Sequence, residues 1–562
     1  MVPVEARSAP WLTLLVALVM TLCNAWEPPT VDDVCHHYYA RQVAKDPLHP
    51  LSFSIDWHQR PVEAFDVMVP PVYSYLWAPA IAWFGDDPVA WRFWFLPMHW
   101  LFCASLLGLL RRYTRRHASA LLVLLALGPS VLPGLNNMLE APMLTIGLTA
   151  LLLHHHALER RCAALALAAG AMLGLAFQTK YSALGFVGPF ALLALLQRRP
   201  RELLLAGLGA VAVAGGIEWL LAVSHNGTSY FQNRLGQAGA RDWAHILVGM
   251  LLQYGGLGLP LTLLGLYALR APRWLSVVAT GIFGLGFLLV ALVPHSTAQP
   301  FTGRLDTVLY AAMAACTWGV TAAMFWRIGW PVLRRGRVPG AGSSAAVRVF
   351  LLGWFLAEIA TSLAISPFPA ARRVLGMLLA ATFAAGWLAA QRRPPGGMVW
   401  RCTALSVLLG VAFQSIDLLE GRAFVQAAAE AYRYTQDTDP TAKAYFTGGW
   451  GFEFCAPRAG LAPLLEGQTT LHRGDFVVCG SIDGTETPWF VDDARLQPVH
   501  EIGIDDGIPW SLLFHYYSGR RPLDGQSGPR YVARILRATT DIEKGSLQIR
   551  ASTSTAVMTH RR

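Results

Sequence analysis

Charge is what this chain of 562 residues has least of: Asp, Glu, Lys and Arg make up 14% of it, against about a quarter in soluble domains. With 54% hydrophobic residues, a chain this long cannot be held in water as ordinary globular domains. Its eight cysteines, Cys23, Cys35, Cys103, Cys162, Cys316, Cys402, Cys455 and Cys479, are scattered, with no CxxC pair or zinc-ligand spacing. That sets aside a zinc module or a dithiol redox motif. No Walker loop, GxSxG elbow or HExxH helix occurs, which argues against nucleotide hydrolysis, serine-hydrolase and zinc-protease chemistry. The net charge of +10 does not point to nucleic acid. The arginines sit in short clusters between apolar runs, where they set topology.

What is present in quantity is long apolar sequence. Runs of roughly 20 residues, enough to cross about 30 Å of hydrocarbon as a helix, recur over the first 400 or so positions. They are expected at 10–26, 89–110, 118–134, 138–156, 162–178, 182–197, 203–223, 245–268, 274–293, 305–325, 349–366, 373–390 and 399–417. The fold class expected is therefore an α-helical polytopic membrane protein of about thirteen transmembrane helices. The stretch 11–26 reads as a retained first span, because its leading segment is weakly basic and no small-residue cleavage site precedes Glu27. With the N-terminus in the cytoplasm, the arginine-rich loops around Arg111–Arg116, Arg160–Arg161, Arg198–Arg201, Arg270–Arg273, Arg327–Arg348 and Arg392–Arg401 all fall inside. The opposite short loops hold Lys180, Arg234, Arg241, Arg304, Arg372 and Arg373. Two larger regions lie on that outer side. One is a first loop, 27–88, with a short apolar interfacial segment at Val69–Phe84. The other is 418–562, richer in charge, where strand-like runs such as Lys443–Thr447 and Asp475–Cys479 alternate with Gly-rich turns. This reads as a small α/β extracytoplasmic domain following a membrane domain of 1–417. There Cys455 and Cys479 would pair in an oxidising compartment. Residues 335–347 read as a flexible cytoplasmic linker.

Ionisable groups at membrane depth are costly, which makes them functional candidates. Asp32 and Asp33 follow the first span directly, ahead of His36, His37, Tyr38, Tyr39 and Arg41. An acidic pair there supplies a general base or caps a helix. Asn136, Asn137 and Glu140 stand at the outer end of the fourth span, after Gly128-Pro129 and Pro133-Gly134. They read equally as helix capping or as a second acid facing the same compartment. Lys180, Arg304, Arg372 and Arg373 cut against the topology, and an anionic phosphate at the membrane surface would offset them; snorkelling to lipid headgroups is the plainer alternative. Asp56, His58 and Asp66 give no convincing metal set, and Glu218 and Glu358 read as structural.

Five segments together resemble a known family: VDDVCHHYYARQVAKDP (31–47), VPPVYSYLWAPAIAWFG (69–85), NNMLEAPMLTIGLTALLL (136–153), GLAFQTKYSALGF (174–186) and FPAARRVLGMLLA (368–380). Their order resembles the GT-C superfamily of integral membrane glycosyltransferases. Bacterial relatives of the protein O-mannosyltransferases and of the lipid A aminoarabinose transferase are the nearest in pattern, over roughly residues 10–400. The resemblance implies a GT-C-like fold and transfer of a sugar, with inversion, from a polyprenyl-phosphate donor on the extracytoplasmic face. Position by position it puts Asp32 as catalytic acid-base, with Asp33 and Glu140 beside it. Lys180, Arg304, Arg372 and Arg373 then lie near the donor phosphate, and His36, Tyr39, Arg60, Tyr73 and Asn137 line the substrate site. The family's lysine ahead of the Pro-Pro pair is Val69 here, which leaves its task to Lys180, Arg304 or Arg60, or implies a different donor or lost activity. The resemblance implies no metal and no cofactor. Its partners would be the lipid-linked donor, membrane lipid and an acceptor that is lipid, glycan or protein. The location it implies is a bacterial inner membrane with the C-terminal domain periplasmic. The alternatives are a flippase or transporter of lipid-linked glycans, and a non-catalytic membrane scaffold.

Overall fold

The computed structural model describes residues 9–56, 61–67, 70–135, 138–236, 241–292, 304–335, 344–392, 397–482, 489–491, 493–519, 521–526, 528–547 and 549–551. Among the described residues, eight helices are long and apolar enough to cross a bilayer: Pro88–Thr114, Glu140–Arg160, Pro200–Ser224, Arg273–Leu292, Val308–Arg334, Ser344–Ile365, Ala371–Ala390 and Gly397–Thr438. Trp243–Gly256 and Leu259–Leu269 form an apolar pair bent by 71° where a glycine-bounded break, Gly256-Leu257-Gly258, interrupts an otherwise apolar run. Pro10–Asn24, Ala163–Phe177 and Tyr181–Leu196 are shorter apolar helices. A rod of 15 residues spans about 22 Å, less than the hydrocarbon thickness.

Every run expected to cross coincides with one of these helices except 118–134. There the helix stops at Ala126, and the chain turns through Gly128-Pro129 and Pro133-Gly134. Proline disfavours helical backbone in the residue before it, so the second half of that run becomes a folded loop above Glu140. Elsewhere small residues let helices touch backbone to backbone. A Cβ on Gly170 would overlap the Ala206 carbonyl, and one on Gly209 the Leu167 carbonyl. This is how membrane helices pack without a hydrophobic driving force.

The last membrane helix, Gly397–Thr438, runs unbroken for 42 residues, about 63 Å. The boundary expected at 417/418 therefore falls inside one rod. Beyond it lies a five-stranded mixed sheet in the order Ala462–Pro463, Ala444–Thr447, Phe476–Ile482, Tyr531–Ala538, Leu496–Ile504. The first three strands are parallel, and the last two pair antiparallel. Tyr531 packs edge-on against Phe424 of the long helix, ring centroids 4.7 Å apart. Cys455 and Cys479 are both buried and unbonded.

This C-terminal unit, called the outer unit for its place beyond the last membrane helix, does not hang free. Trp510 donates to the Phe287 carbonyl at 3.0 Å, and Tyr310 to that of Leu523 at 2.6 Å. Gln253 reaches the Gly519 and Arg521 carbonyls at 2.8 and 2.9 Å. Buried Glu420 accepts from the Leu512 and Leu513 amides at 3.1 Å each and from Arg530 at 3.3 Å. Each of these bonds joins the outer unit to a membrane helix. The segment Val69–Phe84, expected as an interfacial element, forms the helix Val72–Phe84. It buries Tyr73 and Trp77 and leaves Trp83 and Phe84 exposed.

Candidate active site

The first outer helix, Asp33–Lys45, begins at a tight turn after Pro28-Pro29. Its first backbone bond runs from the His36 amide to the Asp32 carbonyl at 3.0 Å. Val31, just before it, has φ 48°, a left-handed conformation that a β-branched residue adopts only under constraint. The two acids that follow diverge. The Asp33 carboxylate turns back, accepting from the Thr30 amide at 3.2 Å and facing Arg92 at 3.5 Å; its side chain is fully buried. The Asp32 side chain keeps 26% exposure and meets Arg372.

Arg372 stands in a short turn, Ala371–Arg373, at the head of a membrane helix. Its Nη1 and Nη2 both donate to Asp32 Oδ2 at 3.0 Å, and its Nε lies 3.6 Å from Glu140 Oε1. Glu140 opens its own span and is ion-paired with Lys180, which stands in the turn between Phe177 and Tyr181. Residues from four distant stretches of chain thus make one chain of charge, Asp32–Arg372–Glu140–Lys180, buried except at Asp32. Arg373 lies within electrostatic reach of Glu140 and Asp32, and its guanidinium packs 5.1 Å from the Phe368 ring. An apolar cavity bordered by His99, Phe102, Leu135, Ala141, Leu144 and Leu375 opens beside Glu140. Among the described residues, no group of three or more His, Cys, Asp or Glu is placed to hold a metal ion.

Electrostatics separate the paired acids. Burial pushes the Asp32 carboxyl up, and the Arg372 guanidinium, by charge and hydrogen bond, together with His36 brings it below the usual carboxylate range. At Asp33 burial wins over Arg92, and the carboxyl is raised to about 6. Burial also lowers His36 to about 4, so its imidazole is neutral near pH 7. His36 Nδ1 is buried without a hydrogen-bond partner, and the ring stands edge-on to Tyr73 at 5.4 Å.

The remaining expected site residues divide. Tyr73 is wall rather than contact surface, wedged among His36, Trp77 and Phe95. Tyr39 donates to the Ala64 carbonyl at 2.5 Å and belongs to a separate apolar cluster under the first loop, because it stands two turns, about 10 Å, further along the helix than Asp32. Asp33 faces Arg92, not Arg372. Arg60, Asn137 and Val69 lie outside the described residues, as does the Arg304 side chain; its backbone begins the helix Arg304–Arg335.

Two groups escaped sequence reasoning. Arg92 is buried at the start of a span and partners Asp33; it falls inside the apolar run 89–110, and nothing in the local sequence links it to Asp33. Asp86 ties the first loop to the outer unit, 3.0 Å from His37, 4.0 Å from Arg41 and 3.6 Å from Arg458. The His37 hydrogen bond holds its carboxyl down at about 2.

Residues 68–225 match the model of the dolichyl-phosphate-mannose-protein mannosyltransferase family. That segment contains Glu140 and Lys180. No curated protein matches the sequence significantly. Among solved structures, the archaeal oligosaccharyltransferase AglB from Archaeoglobus fulgidus is similar at 14% identity, over 85% of this chain and 69% of its own, with TM-score 0.45. ArnT from Cupriavidus metallidurans is similar at 16% identity, over 84% and 93%, with TM-score 0.39. The arabinofuranosyltransferase AftD from Mycobacteria is similar at 14% identity, over 95% and 40%, with TM-score 0.40. At these scores the structural likenesses transfer no residue role and no substrate. The family match covers residues 68–225, under a third of the chain, and makes that segment similar to the dolichyl-phosphate-mannose-protein mannosyltransferases.

Proposed function

We propose that this chain is a membrane glycosyltransferase that takes its sugar from a polyprenyl-phosphate donor and passes it, with inversion, to an acceptor on the extracytoplasmic face of a bacterial inner membrane. The observation that carries the reading is the convergence of Asp32, Glu140, Lys180 and Arg372 in one cluster, buried except at Asp32, with Arg373 beside it. Three cations (Lys180, Arg372, Arg373) stand against two carboxylates (Asp32, Glu140), a surplus of one positive charge; Asp33 and Arg92 cancel each other. One added negative charge fits that surplus, and a lipid phosphodiester carries one.

The chemistry follows from the same charges. The donor phosphate lies against Lys180, Arg372 and Arg373, with its lipid tail among the membrane helices. Occupying the Arg372 fork takes that guanidinium from Asp32. The Asp32 carboxylate, no longer held low, becomes a better base for the acceptor's proton. The acceptor oxygen or nitrogen attacks the anomeric carbon from the face opposite the phosphate. The bond from that carbon to the phosphate oxygen breaks, and its electron pair stays on the phosphate. The leaving group then carries a second negative charge, which fixed cations in a water-poor site stabilise more than they stabilise the donor. Donor binding and base activation are thus one event, so the acceptor is deprotonated only when a sugar is in place.

The test is transfer of label from a polyprenyl-phosphate sugar into cell-envelope lipid, glycan and protein. Asp32→Asn should cut transfer by roughly 10²–10⁴-fold with protein level and insertion unchanged. Wild-type transfer by that variant would remove Asp32 from the reaction.

A further inference from the structure

We infer that Tyr517, in the outer C-terminal unit, is a positioning residue that sets the spacing between the two walls of the phosphate site; this rests on the donor-phosphate reading above. Tyr517 sits on the short helix Leu513–Ser518 and is 1% exposed, as buried as the membrane core beneath it. Its hydroxyl donates to Asp417 Oδ2 at 2.5 Å and lies 3.1 Å from the Pro133 carbonyl. Its neighbour Tyr516 donates to the Pro129 carbonyl at 2.7 Å. These two phenols therefore clasp both ends of the 129–133 turn, the loop that replaces the second half of the expected 118–134 span.

In sequence, that turn shortly precedes one wall of the site. Five residues past Pro133, Met138 Sδ lies 3.8 Å from Arg372 Nη1, and Glu140 follows. The other wall is the Ala371–Arg373 turn, which packs against the same short helix, and Tyr517 is within electrostatic reach of Arg372. The third anchor, Asp417, belongs to the long helix that carries the outer unit. One helix six residues long thus touches the 129–133 turn, the Arg372 wall and the rod between membrane and sheet. A phenol ring fixes distance well, having only two side-chain torsions, and its single proton locks it to Asp417. The outer unit is in this sense part of the active site, acting through Arg372 and Glu140 without touching the reacting atoms.

The experiment is a titration of the purified full-length chain with undecaprenyl phosphate, read by native mass spectrometry, for wild type, Tyr517→Phe, Arg372→Lys, the double variant and Tyr113→Phe. Tyr113 is a buried phenol bonded to His155 at 2.7 Å, distant from the site, and controls for loss of a buried hydroxyl as such. Tyr517→Phe should bind the probe about tenfold more weakly, the scale of one buried hydrogen bond, with Tyr113→Phe like wild type. In the Arg372→Lys background, Tyr517→Phe should add little, because the two act on one contact. Wild-type affinity for Tyr517→Phe, or a full additive loss in the double variant, overturns the inference alone. Absence of probe binding to wild type, or undiminished binding by Arg372→Lys, overturns the donor-phosphate reading and the inference with it.

Discussion

Replacing Arg372 by lysine keeps a positive charge and removes the fork. Arg372 gives Asp32 two N–H···O contacts at 3.0 Å and brings its Nε to 3.6 Å from Glu140. A lysine ammonium is one point of charge on a flexible stem and cannot hold both carboxylates in that geometry. At least one charge-assisted bond is lost, worth about 1.5–3 kcal/mol in the folded state. A larger effect falls on the reaction, because a fixed donor aimed at developing charge is worth roughly 10²–10³ in rate. The assay is label transfer at saturating donor, with donor binding measured separately. The rate should fall by about that factor while some binding persists, since lysine still offers charge. A rate within about twofold of wild type would refute the argument that forked geometry, and not net charge, stabilises the departing phosphate.

Two further predictions concern groups outside the reacting centre. Glu453, 4% exposed in the outer unit, is pushed by burial, with Asp56 adding to it, from 4.5 up to about 8. Folded protein therefore holds a proton that unfolded chain lacks between those values. The contribution is fully present below about pH 4.5 and lost as pH rises through about 8. Thermal unfolding of the outer unit should show stability declining across that window by up to a few kcal/mol, and Glu453→Gln should flatten the slope; an unchanged slope would remove Glu453 as its source. Arg92→Met should destabilise by about 3–5 kcal/mol, since it strands buried Asp33 without a cation. The double variant Arg92→Met/Asp33→Asn should regain most of that loss, and no recovery would show that the ion pair is not what Arg92 supplies.

The broad architecture was legible because hydrocarbon thickness imposes one length on every apolar run. The cluster was legible for a related reason: alternating spans place residues more than 300 positions apart, such as Asp32 and Arg372, on one side of the membrane. Cations standing against the positive-inside pattern then had to meet something anionic. What could not be read was direction within a side. Adjacent Asp32 and Asp33 carry the same chemistry in sequence, and only the strained turn at Val31 sends one to Arg372 and the other to Arg92. Tyr39 looked like a site residue from its neighbourhood, yet its position on the helix turns it into the loop's own core. The break at 127–134 was signalled by two Gly-Pro pairs, but an apolar run of the right length outweighed them. That a tyrosine far along the chain returns to clasp this turn leaves no mark in local sequence, since no periodicity links Pro133 to Tyr517.

The most direct measurement is a cryo-electron microscopy structure of the full chain bound to a polyprenyl-phosphate sugar. The account predicts phosphate density among Lys180, Arg372 and Arg373, with the anomeric carbon between it and Asp32, and the Arg372–Asp32 bridge opened. Phosphate density elsewhere on the protein, with that bridge intact, would contradict it.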